Sequence, residues 1–389
     1  MVTIQPSHDP HHPPPSQSIW RPGADFPFSF GWRGAAAALL VFAGSAFAFW
    51  TLRPLSPAGG DAGEISIWIA TRKPVYHYRA PLTVCAHRLA YRALRGAAWG
   101  PRDAMALNSA LAGGLFMVAL LAISRHPLFL LVNLACGAVL LFAGHEENYG
   151  WVNALLVVFL ALARRAWDRR DDPAAFARWG GAATVAFVLA CAAHMLAVFY
   201  LPALAALALR LRRETRRWRI QWFENAPVAA AFLLPLIGFL IFITVAPLAI
   251  TAIGRVTGLD NNASRFVPLV SASAGGLTMF SLAHLKFLAW IHLTSAPLGL
   301  PLVLLLGWRQ GRDPYAQWLV ICALCGLGWT SLYNPDLRWR DWDLFANVAF
   351  PLNVLAGLLL ARAANKWRSR RRQSELDSPR SESQALRHA

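Results

Sequence analysis

The side chains able to do chemistry in this chain are few and grouped. Among 20 acidic residues in 389, three short motifs stand out: Asp61-Ala62-Gly63-Glu64, Glu146-Glu147-Asn148-Tyr149 and Asp341-Trp342-Asp343, with Asp260 and Asp336 alone. Carboxylates gathered in this way accept protons or hold cations. Each group also has a plainer reading. Asp61 and Glu64 are spaced like a helix-capping pair. Glu146 and Glu147 precede an apolar run and suit a helix N-terminus. In the RWRDWD stretch, Arg338 and Arg340 alternate with Asp341, Asp343 and two tryptophans, as in an interfacial belt. His194 and His284 are polar breaks within apolar surroundings.

The elements that must position these residues are membrane helices. Hydrophobic residues make up 56% of the chain and charged ones 15%, against about a quarter charged in a soluble domain, and the mean hydropathy is +0.40. The fold class is therefore all-α and polytopic. The formal charge of +17 is not a nucleic-acid face, because the arginines sit in clusters between apolar runs, the mark of cytoplasmic loops. Five cysteines, all inside apolar segments, read as packed small residues rather than disulfides or metal ligands.

Residues 1–32 are Pro- and His-rich and read as a disordered arm, 33–361 as the membrane domain, and 362–389 as a basic cytoplasmic tail. Apolar runs at 34–52, 104–123, 149–163, 227–253, 287–308, 315–332 and 344–361 read as spans, and 179–209 as two spans with His194 near the far turn. Residues 81–98 are amphipathic, either spanning or interfacial. If they span, the short run at 127–143 is re-entrant; if not, it is itself a crossing. The total is about ten spans with both termini cytoplasmic. The arginine clusters near 164, 210, 309 and 362 then lie inside, and every acidic motif falls on the opposite face. Ionised groups beside hydrocarbon persist where they line a wet, protein-walled hollow, so acids from separate loops at one pole suggest a site.

The motifs at that pole resemble GT-C glycosyltransferases. Asp61-Ala-Gly-Glu64, followed by Ala80-Pro81-Leu82, is similar to the first outer loop of the branch that includes protein O-mannosyltransferases, with its D-x-G-E then P-L pattern. Glu147-Asn148-Tyr149 resembles that branch's E-x-Y, and His194 its turn histidine. FSLAH at 280–284 and NPDLRWRDWDLF at 334–345 are similar to patterns in uncharacterised bacterial membrane proteins of the same kind. The resemblance covers Asp61 to Phe345. It departs from the family at YHYRAP, where a His-Pro-Pro-Gly approach is usual, and in having no large soluble C-terminal domain.

The resemblance implies transfer of a sugar from a polyprenyl-phosphate donor, drawn from membrane lipid, to an acceptor at the outer face of a bacterial inner membrane. Such chemistry needs a base for the acceptor hydroxyl and cations for the departing phosphate. Asp61 is the candidate base and Glu64 the residue that orients it or raises its pKa. Arg72, Lys73, Arg79, Arg338 and Arg340 are the candidate phosphate ligands, since the guanidinium fork suits phosphate oxygens. Glu147, Tyr149, His194, His284, Asp341 and Asp343 complete the substrate-binding set. Glu147 could also join an acidic pair that holds Mg or Mn. Two other classes compete: a transporter or lipid-handling permease, which predicts charges at mid-membrane depth, and a non-catalytic assembly subunit docked by its arginine tail. No internal repeat supports a transporter of duplicated halves.

Overall fold

The computed structural model describes residues 31–55, 61–210, 226–257, 266–270, 277–307, 313–335 and 341–376, with the backbone of two short strands at 212–214 and 217–219. Most of the 1–32 arm, the tail beyond 376, and Asp260, Asp336, Arg338 and Arg340 lie outside the described residues.

The chain is a helical bundle. α1 (Trp32–Thr51) leads to a short α2 (Ala62–Ala70) and α3 (Pro81–Leu94), then α4 (Pro101–Ile123), α5 (Pro127–Leu134), α6 (Tyr149–Asp168) and α7 (Pro173–Ala193). α8 (Leu201–Ala208), α9 (Ala226–Thr251), α10 (Leu282–Ser295), α11 (Gly299–Leu306) and α12 (Pro314–Leu332) follow. α13 (Trp342–Phe345) runs through one 3-10 turn into α14 (Ala349–Leu376). The sequence sets many of the starts. Proline stands in the first turn of α3, α4, α5, α7 and α12, where its missing N–H costs nothing. Asp172 and Asp313 cap α7 and α12 by accepting main-chain N–H groups.

Among the described residues seven helices, counting α13 to α14 as one, are long and apolar enough to cross a membrane. The remaining apolar runs are broken. Residues 127–142 are α5 plus a 3-10 segment, 195–208 a 3-10 turn plus α8, and α10 and α11 meet at 96°. α3, with 14 residues, is about 21 Å long, short of the roughly 30 Å of hydrocarbon, so it packs against α2, α4 and α7 without crossing. The 127–142 segment carries the chain back between α4 and α6. The starts of α4 and α6 lie side by side, Gly150 against Ser109, and Arg164 of α6 donates to the carbonyl of Ile123 at the end of α4 (2.7 Å). The two helices thus run parallel, and the chain between them must return.

Close packing rests on small residues. A Cβ on Gly113 would come 2.4 Å from the Phe49 ring, and one on Gly180 2.4 Å from Phe232; these glycines let α1 approach α4 and α9 approach α7. α1 and α9 otherwise present apolar faces outward. β1 (Val75–His77) pairs in parallel with β4 (Arg255–Thr257) and ties the α2–α3 loop to the end of α9. β2 (Arg212–Glu214) and β3 (Arg217–Arg219) form a hairpin after α8. Charged groups gather at both ends of the bundle. At one, Arg362 pairs with Asp313, Arg164 with Asp168 (3.7 Å), and Arg210 stacks over Phe176. At the other lie α2, α3 and the acidic motifs. The helix of the last span continues through the arginine-rich 362–376 segment.

Candidate functional site

The site is built on the turn Gly144-His145-Glu146-Glu147-Asn148 that leads into α6. Gly144 has φ +73°, a conformation in which an L side chain is strained. A Cβ there would also come within 2.7 Å of the Arg53 stem. The Ser109 hydroxyl of α4 holds the turn by donating to the His145 carbonyl (2.6 Å). Two adjacent carboxylates then take different environments. Glu146 meets Arg53 (3.5 Å) and Arg102 (3.6 Å), and Arg53 also binds Asp103 (2.8 Å). Glu147 is buried.

Glu147 joins His145 and Asp343, each 5% exposed or less. His145 Nε2 lies 2.9 Å from Asp343 Oδ2, across 198 residues of chain. Asp343 Oδ1 accepts the Leu344 N–H (2.9 Å). Glu147 Oε1 accepts the main-chain N–H of Asp61 (3.1 Å), so the first acidic motif begins on the second. Among the described residues no Lys or Arg forms an ion pair with Glu147 or Asp343. Burial, and after it the neighbouring Asp343 carboxylate, push the Glu147 carboxyl well above the usual carboxylate range.

One ligating atom from each of His145, Glu147 and Asp343 lies within 4.8 Å of the others. Ligands about 2.1 Å from a shared ion stand about 3–4 Å apart, so the trio fits a divalent cation after slight tightening, and an imidazole with two carboxylates suits Mn or Zn better than Mg. His87 of α3 lies against the Glu147 main chain and is 1% exposed. Neither of its ring nitrogens has a hydrogen-bond partner among the described residues. Burial lowers its pKa to about 4, so it is a neutral imidazole beside the acids.

The predicted residues divide into two sets. Asp61, Glu147, Asp341 and Asp343 come together, with Asp341 close enough to act on Asp343. Tyr149 lies within electrostatic reach of Asp343, Glu147 and Asp61, and its ring is 5.2 Å from that of His194. Arg79 and His77 are beside His194, and the Arg79 carbonyl accepts the Met195 N–H (2.7 Å). His194 itself receives the Leu196 N–H on Nδ1 (3.2 Å). Asp61 and Glu64 are exposed, and Asp61 makes no side-chain cap bond to α2, so the two do not form the capping pair their spacing allowed.

Arg72 and Lys73 are exposed at the far end of α2, which has nine residues and is about 14 Å long. The carbonyls there are held by Arg88, which donates to Trp68, Thr71 and Lys73 (2.6–3.1 Å). His284 is buried in the first turn of α10, with Nδ1 on the Met279 carbonyl (2.8 Å). Sequence reading overlooked His145 and His87. The signal for His145 was its place in GHEEN, between a glycine and two acids; His87 carried none beyond lying on an amphipathic helix.

No protein-family profile and no curated protein sequence matches this chain. Two solved structures share its fold. Both are of ArnT from Cupriavidus metallidurans. The one bound to undecaprenyl phosphate superposes with a TM-score of 0.54 at 17% identity, over 84% of this chain and 59% of ArnT. The apo structure gives 0.51 at 17% identity, over 90% of this chain and 62% of ArnT. The chain thus spans about three-fifths of the length of the protein whose fold it shares.

Proposed function

We propose that this chain is a GT-C-type membrane glycosyltransferase of the bacterial inner membrane. It moves a sugar from a polyprenyl-phosphate donor to an acceptor at the outer face, with both of its own termini cytoplasmic. The observation that carries this reading is the bond from the Asp61 main chain to buried Glu147: it gathers acids distant in sequence at one pole of a bundle with the ArnT fold. That one ArnT structure holds undecaprenyl phosphate supports a polyprenyl-phosphate donor. The D-x-G-E and E-x-Y motifs support a relation to the O-mannosyltransferase-like branch. Acidic groups at the ends of the bundle rather than strung along the spans favour an enzyme over a permease.

In the reaction, exposed Asp61 takes the proton of the acceptor hydroxyl as that oxygen bonds to the anomeric carbon. The bond from that carbon to the phosphate oxygen breaks, and polyprenyl phosphate leaves. Arg79, beside His194, receives the phosphate, with Arg338 and Arg340 as further phosphate ligands. Glu147, packed with His145 and Asp343, fixes the Asp61 backbone, so that the base is held by a buried anchor while its own carboxyl stays wet. A divalent ion bound by that trio would add Lewis-acid polarisation of phosphate oxygens.

The test is donor turnover. Purified protein in lipid is given radiolabelled polyprenyl-phosphate sugars, and release of label from the lipid is followed. Asp61→Asn keeps the shape and is expected to lose about two orders of magnitude or more in rate with membrane insertion unchanged. Equal release by wild type and variant removes Asp61 from the mechanism, and no release by wild type from any such donor removes the enzyme reading.

A further inference from the structure

Arg72 and Lys73 stay outside the acidic site, and the structure groups them with two arginines of α3. That helix packs its inner face on the bundle. Thr83 donates to the Ala193 carbonyl (2.9 Å), the Asn108 amide of α4 reaches the Ala86 carbonyl (3.5 Å), and Tyr91 packs with Met105. Its opposite face is bare. Leu82, Cys85 and Leu89 are exposed there, Leu89 at 61%, and exposed Arg92 continues the same line. Steps of three and four residues put these four side chains on one stripe of the helix. Arg92 Nη2 donates to the Arg72 carbonyl (3.5 Å) and lies close enough to act on Arg88. Arg88 in turn binds the Lys73 carbonyl (2.8 Å). The turn after α2 therefore meets the end of α3, and Arg72, Lys73, Arg92 and Arg95 are all exposed at that corner.

Among the described residues none of these four cations forms an ion pair. The acids at this end of the bundle are committed elsewhere: Asp103 and Glu146 to Arg53 and Arg102, Glu147 and Asp343 to the buried cluster. Glu64, the nearer of the two acids that open α2, precedes Arg72 by eight residues, about 12 Å of helix. Like charges crowded at one corner repel each other, and an anion seated among them relieves that. The stripe of α3 adds a second requirement, because Leu82 and Leu89 stand bare beside the cations. A ligand with an anionic head and an apolar body matches both halves. An acidic protein surface or a small anion would meet the cations and leave the leucines uncovered.

We propose that this corner seats an anionic phospholipid, with its phosphate on Arg72, Lys73, Arg92 and Arg95 and an acyl chain along Leu89, Cys85 and Leu82. Guanidinium forks suit phosphate oxygens, and long cationic side chains keep their charge at headgroup level while their stems cover apolar surface. Leu82 to Leu89 covers about 10 Å of helix, within the roughly 15 Å of hydrocarbon in one leaflet. The length of α2 separates the site from Asp61, so this lipid is not the sugar donor. It holds the turn after α2 against α3, a role separate from sugar transfer.

A ligand that binds only the folded state raises the unfolding temperature as the site fills. The purified protein in neutral detergent is therefore unfolded with increasing dioleoyl phosphatidylglycerol, and with dioleoyl phosphatidylcholine as the neutral control. Wild type is expected to show a saturable rise in Tm of a few degrees with the anionic lipid over the neutral one. Glycerol 3-phosphate, which carries the anion without the chains, should give none. Combining Arg72→Gln, Arg92→Gln and Arg95→Gln should move the midpoint of the rise to several-fold higher lipid. The same loss of three charges at Arg368, Arg370 and Arg372, exposed on the end of α14, should leave the midpoint in place. Equal Tm in the two lipids overturns the proposal, as does a midpoint that moves no more for the α2–α3 variant than for the α14 variant. A rise reproduced by glycerol 3-phosphate, or given through the same arginines by less undecaprenyl phosphate than phosphatidylglycerol, assigns the corner to a free anion or to the donor and overturns it as well.

Discussion

Glu146 and Glu147 are neighbours in sequence and opposites in environment. Glu146 is neutralised from outside by Arg53 and Arg102, in a rim that also holds Asp103. Glu147 is turned inward, where its neighbours are another carboxyl, an imidazole and the Asp61 N–H. A carboxylate at the rim keeps its charge because guanidinium and water are both at hand. One in the interior must take up a proton or bind a metal, because burial without compensation is expensive. The rim is built to hold structure at small gain, and the interior to hold a group ready to change state.

The largest test of that difference is to remove one charge from each. Glu147→Leu keeps the bulk but removes the acceptor of the Asp61 N–H, and should lower sugar transfer about a hundredfold, since it unseats the backbone of the base. Glu146→Gln, with arginine partners 30–60% exposed, should stay within about twofold in rate and change stability by less than about 1 kcal/mol. Equal effects at the two positions would mean that the turn merely folds and that neither carboxyl serves the chemistry.

The grouping of the acidic motifs was legible because the arginine clusters near 164, 210, 309 and 362 alternate with them along the chain. Asp61, Glu147, Asp341 and Asp343 were all visible in that way. The contact that organises them was not: His145 and Asp343 are 198 residues apart, and no local pattern pairs them. Arg88 looked like a misplaced membrane charge until three carbonyls at the end of α2 accounted for it. The about ten apolar runs were readable from hydropathy. The breaks within them were less so, because a helix bent at Ala296-Pro297 and a straight one share the same apolar composition. The return of the chain through the short 127–143 run was evident only once α4 and α6 proved parallel.

The next effect falls on stability. The Glu147 carboxyl, ordinarily near 4.5, titrates at a higher pH in the folded chain, so the neutral form is the one that folding favours. The stability linked to it is complete below the unfolded value and is lost as the pH rises through the raised one. In EDTA, the Tm of wild type should therefore fall as the pH is taken upward from 5, by several degrees more than that of Glu147→Gln. Mn2+ should reverse the trend in wild type alone, because metal binds the deprotonated ligands and does so more tightly at higher pH. A wild-type profile parallel to that of the Gln variant, with and without Mn2+, would show that the buried acid changes neither proton nor metal.

The smallest effect lies at the glycine that opens the turn carrying the two carboxylates. Gly144→Ala puts a side chain in the left-handed region, costing about 1–2 kcal/mol, and brings its methyl to 2.7 Å from Arg53. Arg53 is a flexible rim residue and can give way, so the loss should fall on the rim's pairing with Asp103 and Glu146. The Ser109 bond to His145 still anchors the inner half of the turn. The variant should accordingly lose a few degrees of Tm while keeping both its transfer rate and the pH slope of Glu147. If the slope vanishes together with the lost stability, rim and interior are one cooperative unit, and the two glutamates differ in exposure alone.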